Sequence, residues 1–311
     1  MSLLTVGTVA FDAIETPFGK TDKIIGGSAT YISLSASFFY KKLQIVSVVG
    51  DDFPQETIQQ FHQKGINTDG LQIIKGEKSF FWSGKYHTDM NSRDTLITDL
   101  NVLANFNPVL PETYHQPDYL MLGNIDPVLQ LRVLDQLKKR PKLIMIDTMN
   151  FWMNTAMETL RKVLTQIDIL TINDEEARQL SGEYSLYKAA RKIVSEMGPR
   201  LLIIKKGEHG ALLFNNNHQM FYAPGLPLPE VFDPTGAGDT FAGGFIGHIA
   251  RSGDLHFDNF KRAVVVGSAM ASFCVEKFGP ERLLSLTEPE INERIQQFVE
   301  LAHFDMHNSF F

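Results

Sequence analysis

Short, almost wholly apolar runs recur along this chain at intervals that leave room for a helix between them. Residues 3–9, 44–49, 119–122, 143–146, 167–172, 201–204 and 211–214 have strand length and little polar alternation, the pattern of parallel strands covered on both faces. Segments of helical period lie near residues 28–41, 54–64, 127–139, 154–165, 174–181 and 187–197, and later at 237–251, 258–276 and 288–303. The alternation predicts an α/β fold with a doubly wound, mainly parallel sheet. Residues 71–104 break the rhythm. They hold strand-like runs at 80–86 and 95–98 with no helix between them, and read as a small β-sheet lid inserted in one domain spanning 1–311, with part of 11–25 a candidate addition. An antiparallel extension of the main sheet is the other reading.

The segment richest in chemistry is Asp233-Pro234-Thr235-Gly236-Ala237-Gly238-Asp239-Thr240-Phe241. Gly236, Ala237 and Gly238 carry little or no side chain, so backbone N–H groups can approach an anion closely. Phe241, Phe245 and Ile249 then follow at i, i+4 and i+8, which puts the glycines at a helix N-terminus. Free N–H groups and the helix dipole favour phosphate oxygens there. Asp239 falls in the first turn, placed to accept a proton from an attacking hydroxyl. The plainer alternative is a glycine turn whose aspartate only complements the dipole. The segment is not a GxxxxGK[ST] phosphate loop, because no Lys-Ser or Lys-Thr follows the glycines.

This segment resembles the C-terminal motif of the ribokinase-like (PfkB) family of sugar and nucleoside kinases, and the likeness extends over nearly the whole chain. Gly26-Gly27 before an apolar helix, Val49-Gly50-Asp51-Asp52-Phe53 with Gly65-Ile66-Asn67-Thr68, Asn173-Asp174-Glu175-Glu176 and Lys205-Lys206-Gly207-Glu208-His209-Gly210 follow in the family's order. The resemblance implies a ribokinase-like fold and transfer of the γ-phosphate of ATP, with magnesium, to a primary hydroxyl of a nucleoside or sugar. It implies Asp239 as catalytic base and Gly236, Ala237 and Gly238 as the anion hole. Asp12, Gly26, Gly27, Ser28 and Tyr31 would meet the acceptor, and Asn173, Lys205, Gly207 and Gly210 the nucleotide. Asn173 and Glu176 would organise the magnesium shell through water. Asp233, Thr235, Cys274 and Gly279 match a monovalent-cation (K+) site of some relatives. Carboxylates at 174–176 also suit a helix start without any metal.

The departures concern the acceptor. Tyr31 stands where many relatives carry Asn, Ser28 where a ribose-binding relative often has Lys, and Pro54 where Gly is usual. Phe80, Phe81, Trp82 and Tyr86 are candidates for an aromatic cover, although strand alternation lets only some of them face a site. Aromatic surfaces suit a nucleobase, a purine above all, better than a free sugar, so a nucleoside acceptor is expected. A ribose- or fructose-like sugar is the alternative, and a non-catalytic ligand-binding paralogue a remote one.

Composition bounds the partners. A net charge of −7 argues against a nucleic-acid surface. Cys274 is the single cysteine and sits among apolar neighbours, so neither an intrachain disulfide nor a thiolate cluster is expected. No apolar run is long enough to span a bilayer. Asp12 and Glu15 follow the first apolar run, which no basic flank precedes, so a signal peptide is not expected and a cytoplasmic location is. The lid is a candidate surface for a homodimer.

Overall fold

The structure is a computed structural model that describes residues 2–303. Two sheets organise it. The strands are β1 (Leu3–Val6), β2 (Ala10–Thr16), β3 (Gly19–Lys20), β4 (Ile24–Gly26), β5 (Leu43–Gly50), β6 (Ile66–Ile74), β7 (Phe81–Tyr86), β8 (Arg93–Asp99), β9 (Tyr119–Leu122), β10 (Leu143–Asp147), β11 (Ile169–Asn173), β12 (Leu201–Lys205), β13 (Ala211–Asn215) and β14 (Met220–Ala223). The large sheet runs β14-β13-β12-β11-β10-β9-β1-β5-β6. It is parallel from β6 to β12 and ends in an antiparallel β12-β13-β14 edge. From β1 the chain moves outward to β5 and β6, then returns to the other side through β9, β10, β11 and β12. Open α/β sheets bind ligands beside such a reversal, outside the carboxyl ends of the strands.

The central strands are apolar throughout because both faces are covered. Successive residues point to opposite faces, so Tyr119 and Met121 enter one core, while Leu120 and Leu122 enter the other. The first core contains α1 (Ser28–Ala36) and two long helices introduced below; the second is closed by α3 (Pro127–Asp135), α5 (Met157–Leu164), α6 (Asp174–Ser181) and α7 (Leu186–Glu196). Between these come α2 (Gln55–Gln63) and α4 (Asn150–Thr155). The single helix expected over 154–165 is therefore two, parted at Ala156, whose φ of −140° is not helical.

The chain ends in α8 (Ala237–Ser252), α9 (Phe257–Cys274), α10 (Glu281–Ser285) and α11 (Glu288–Ala302). Phe241, Phe245 and Ile249 are buried as their spacing predicts. Along α8, Gly243 lies so close to the Ile32 carbonyl that a Cβ would clash with it, and Ser35 Oγ donates to the Thr240 carbonyl at 2.7 Å. This intimate α1–α8 contact brings the N-termini of the two helices together, and with them the two glycine turns.

The small sheet, in the order β3-β2-β7-β8 with β4 also on β2, is separate from the large one. Its composition corrects the expected boundaries. Residues 71–74 finish β6 of the large sheet, and Asn101–Asn105 form a 3-10 turn. The apolar run at 3–9 also divides: β1 stops at Val6, and β2 carries the chain into the small sheet. Strand β8 is exposed along its whole length and pairs with β7. The Lys85–Glu15 pair across β7 and β2 is exposed and adds little. Main-chain ladders join the strands of this sheet, and Phe11 and Phe81 anchor it to the first core, whereas the large sheet lies between two buried cores.

Candidate active site

The ends of three neighbouring parallel strands and the start of α8 converge. Asp147 ends β10, Asn173 ends β11 and Lys205 ends β12. The Lys205 ammonium meets the Asp147 carboxylate at 2.6 Å, with both side chains largely buried. Burial alone would lower the Lys205 pKa; the carboxylates of Asp147, Glu176 and Asp239 and the bond to Asp147 raise it instead. The lysine therefore stays charged. A Cβ on Gly238 would lie 2.9 Å from Lys205 Nζ, so this ammonium rests directly on the glycine turn.

That turn is built by Gly236, whose φ of 75° is left-handed and caps α8. Its α-carbon lies against the ring of Tyr31, where a Cβ would come within 2.5 Å of three ring carbons. Side chains are thus excluded twice over, by backbone angle and by space. The N–H of Ala237 donates to the Pro234 carbonyl at 3.2 Å and closes the turn instead of joining the expected anion hole. Among the described residues the N–H groups of Gly236, Gly238 and Asp239 have no protein acceptor, as donors to an anion must. Asp239 lies beside them. Burial, reinforced by Asp147, pushes its pKa up to about 7, while Lys205 and Arg93 oppose the rise.

Asn173 and Glu176 form a reciprocal capping box at the start of α6. The Asn173 N–H donates to Glu176 Oε2 at 2.7 Å, and the Glu176 N–H to Asn173 Oδ1 at 2.8 Å. The helix-start role is therefore real, yet Glu176 also faces the site. Burial and then Asp147 push its pKa up to about 7. Gly207 and Gly210 shape the turn from β12 to β13 with φ of 55° and 84°.

The residues expected to meet the acceptor lie on β2, β4 and the start of α1. Asp12, on β2, is 5% exposed, and its carboxylate occupies the space where a Gly26 side chain would stand. Burial, then Asp233 and Asp239, push its pKa up to about 7, while an N–H from Gly27 opposes them. Tyr31 is buried, and among the described residues its hydroxyl has no partner. Ser28 is engaged with Thr8. Its hydroxyl accepts the Thr8 N–H at 3.1 Å, while its own N–H donates to Thr8 Oγ1 at 2.9 Å.

Asp233, Thr235, Cys274 and Gly279 come together as expected from the resemblance. The buried Asp233 carboxylate accepts the N–H of Thr235 at 2.8 Å and that of Gly279 at 2.9 Å, and Cys274 Sγ donates to the Thr235 carbonyl at 3.5 Å. Of the four aromatic candidates, Phe81 packs toward the first core. Trp82 pairs with Asp12 across the parallel β2–β7 ladder, so the two share a face; Tyr86, four residues on, shares it too. Thr235 Oγ1 donates to the Tyr86 hydroxyl at 3.1 Å, which ties this face to the loop before α8.

Sequence reasoning missed Asp147 and Arg93. A signal existed for Asp147, since a carboxylate closing an apolar parallel strand lies at the ligand end of the sheet. Arg93 had none, because its neighbours in sequence form an ordinary exposed strand.

With this geometry in view, comparison with known proteins is decisive. Residues 4–285 match the model of the pfkB family carbohydrate kinases. The chain belongs to that family. It is a kinase acting on a hydroxyl group. It is 30% identical over 283 residues to the cytidine kinase of Thermococcus kodakarensis, covering 90% of this chain and 98% of that one. It is 24% identical to the nucleoside kinase of Methanothermobacter thermautotrophicus, covering 95% of both. Among solved structures, the nucleoside kinase of Methanocaldococcus jannaschii superposes with a TM-score of 0.76 at 21% identity, over 96% of this chain and 99% of that one. The chain has the ribokinase fold. Among the described residues no helix is long and apolar enough to cross a membrane.

Proposed function

We propose that this kinase phosphorylates nucleosides, moving the γ-phosphoryl group of ATP to a primary hydroxyl. One face of the small sheet carries the nucleoside assignment. There Asp12 offers a carboxylate to ribose hydroxyls, while Trp82 stands beside it with a ring for the base. Base stacking on an aromatic ring is worth about 1–3 kcal/mol in nucleic-acid binders, and a free sugar forgoes it. The cytidine kinase and nucleoside kinase relatives support the same class.

The chemistry is positioning and charge stabilisation. Lys205 and the turn Gly207 to Gly210 flank the nucleotide phosphates, and the N–H groups of Gly236, Gly238 and Asp239 receive the charge of the moving group. Asp239 accepts the hydroxyl proton as the acceptor oxygen bonds to phosphorus and the bond to the β-phosphate oxygen breaks. ADP is the leaving group. Among the described residues no cluster of three His, Cys, Asp or Glu side chains could itself hold a metal ion. Glu176, with Asn173 beside it, suits magnesium that arrives on the nucleotide and keeps water between itself and the protein. Bound there, magnesium neutralises phosphate charge. A monovalent cation, potassium, suits the loops around Asp233, whose carboxyl burial pushes up in pKa; replacing potassium by tetramethylammonium lowers the rate if so, and an unchanged rate removes it. A second copy pairing along the exposed edge of β8 is the proposed dimer, with sedimentation at assay concentration as its check.

The experiment is a steady-state panel with ATP and magnesium, using cytidine, uridine, adenosine, inosine and guanosine against ribose and fructose. Sequence alone favours purines, and the cytidine kinase relative puts pyrimidines in the same panel. The highest kcat/KM belongs to a nucleoside. Efficient turnover of a free pentose or hexose with every nucleoside inert would overturn the assignment and leave the kinase.

A further inference from the structure

We infer that Asp52, in the turn after β5, is a positioning residue for the acceptor: it pins the two strands that flank Asp12 to the large sheet, and so sets where the small sheet holds its substrate. Its role rests on the acceptor site proposed above on that sheet.

Asp52 belongs to the run Val49-Gly50-Asp51-Asp52-Phe53, to which the site described so far gives no task. Strand β5 ends at Gly50, at the carboxyl end of the large sheet. Asp52 Oδ1 accepts the N–H of Ser79 at 2.8 Å and the Ser79 hydroxyl at 2.6 Å, while Oδ2 meets Lys23 Nζ at 3.1 Å. An aspartate that only closed its own turn would bond the backbone two residues on. These partners lie 27 and 29 residues away. Burial works against the charge of Asp52, but the bonds from Ser79 and Lys23 outweigh it and hold the pKa below its ordinary value. The carboxylate therefore stays ionised, and hydrogen bonds to a charged group are the strong ones.

Each partner stands beside Asp12. Lys23 immediately precedes Ile24, which pairs with Asp12 on one side of β2. Ser79 immediately precedes Phe80, whose carbonyl accepts the Phe11 N–H at 2.9 Å on the other side. The ladder continues there through Phe11–Phe81 and Asp12–Trp82. One carboxylate thus fixes β4 and β7 against the same strand. Lys23 also lies over the Phe11 ring, 3.9 Å from its centroid, and Phe11 meets Phe53 at 5.5 Å, so the residue after Asp52 completes the joint from its apolar side.

The rest of the joint is stiff. Ser79 is 1% exposed, and its hydroxyl accepts the Gly50 N–H at 3.0 Å. Asp51 accepts the Gly76 N–H at 2.8 Å, and a side chain on Gly50 would clash with the Glu77 carbonyl. The chain leaving the small sheet is tied to the chain entering it. Asn101 Nδ2 donates to the Ser79 carbonyl at 2.9 Å, and the N–H of Val102, buried in the second core, donates to the Lys78 carbonyl at 3.2 Å. Both crossings and the approach to β4 are therefore gathered at Asp51 and Asp52, and Asp12 and Trp82 are carried beyond them.

The variants are assayed with ATP and magnesium on whichever acceptor the wild type turns over fastest, nucleoside or sugar, with Asp12→Asn in parallel to report the acceptor site itself. In Asp52→Ala the acceptor KM rises about tenfold, the worth of a hydrogen bond to a charged group, while kcat stays within about threefold and the ATP dissociation constant within about twofold. Asp52→Asn keeps an acceptor for Ser79 and recovers part of the loss, and it carries the comparison if Asp52→Ala does not fold. Ser79→Ala raises the acceptor KM as well, and the double variant is no worse than the poorer single, because both remove the same link. An acceptor KM within about twofold of wild type in the Asp52 and Ser79 variants, with Asp12→Asn raising it, would overturn the role of Asp52 and leave the acceptor site standing. An unchanged KM in Asp12→Asn would remove the acceptor site, and the role of Asp52 with it. Effects that multiply in the double variant, or an equal loss of ATP and acceptor affinity, would also overturn it.

Discussion

The ends of the large sheet and the face of the small sheet meet at one site, yet they are built in opposite ways. Asp147, Asn173 and Lys205 hang from strands buried on both faces, and Gly236 is pinned between its backbone angle and the Tyr31 ring. Trp82 and Arg93 belong to a sheet whose outer strand is exposed throughout. The first region is rigid because neighbouring cores fix it, as preorganised charge stabilisation requires. In the second, β2 and β7 hold buried residues such as Phe11, Ile14 and Tyr86, but β8 is exposed, and local opening is easiest where buried contacts are few. On the proposed function, the N–H groups that receive the phosphoryl charge lie in the rigid half and the ring that faces the base in the loose one.

If that division holds, changes in the rigid half lower the rate for every acceptor alike. The largest effect belongs to Asp239→Asn, which removes the base and little nucleotide contact. Turnover falls about 10²–10⁴-fold, while ATP affinity measured by calorimetry stays nearly unchanged. A variant keeping more than half the wild-type turnover would take Asp239 out of the mechanism. Gly238→Val comes next. Its side chain must displace the Lys205 ammonium, 2.9 Å from the first added carbon, and so disturbs the pair with Asp147. Loss of about tenfold to a hundredfold in kcat is expected, at or below the cost of one lost transition-state donor, in a protein that remains folded by circular dichroism. Near wild-type turnover would mean that phosphate is received elsewhere.

A smaller effect concerns stability. Asp12, Glu176 and Asp239 each have a folded pKa pushed up to about 7. Groups raised in this way hold protons in the fold that the unfolded chain has released, so they favour folding at low pH and lose that contribution as pH rises through about 7. Asp239→Asn is therefore expected to melt higher than wild type at pH 8, by on the order of 2–5 °C, with the gap narrowing toward pH 4. A variant that melts lower at pH 8 would show that the charged form is not strained. The same titration gives the wild-type kcat/KM an acid limb, rising with pH as Asp239 ionises.

How much could be read from the sequence follows the same line. Strands β9 through β13 stood out because burial on both faces leaves an uninterrupted apolar run, and the α8 turn because glycine and aspartate have few other reasons to alternate there. Asn173 was found, but its exchange of bonds with Glu176 was an alternative that only the structure could weigh. Ser28 and Ala237 show what sequence leaves open: it places a group near a turn, but not which atom the turn itself engages. The small sheet was half legible. Its aromatic strand was evident, but β2 and β4 carry no period of their own and are defined by pairing with distant residues. Arg93 comes to share a face with Trp82 only through its register against Tyr86.

The most direct test of the division is the ratio of kcat/KM for the best nucleoside to that for free ribose, measured by direct competition in wild type, Asp239→Asn and Trp82→Ala. Loss of a ring that stacks on the base should lower the ratio about tenfold in Trp82→Ala. Asp239→Asn should slow both acceptors equally and leave the ratio unchanged. A ratio that shifts in Asp239→Asn and stays fixed in Trp82→Ala would contradict the account, because acceptor choice would then lie with the sheet ends and not with the small sheet.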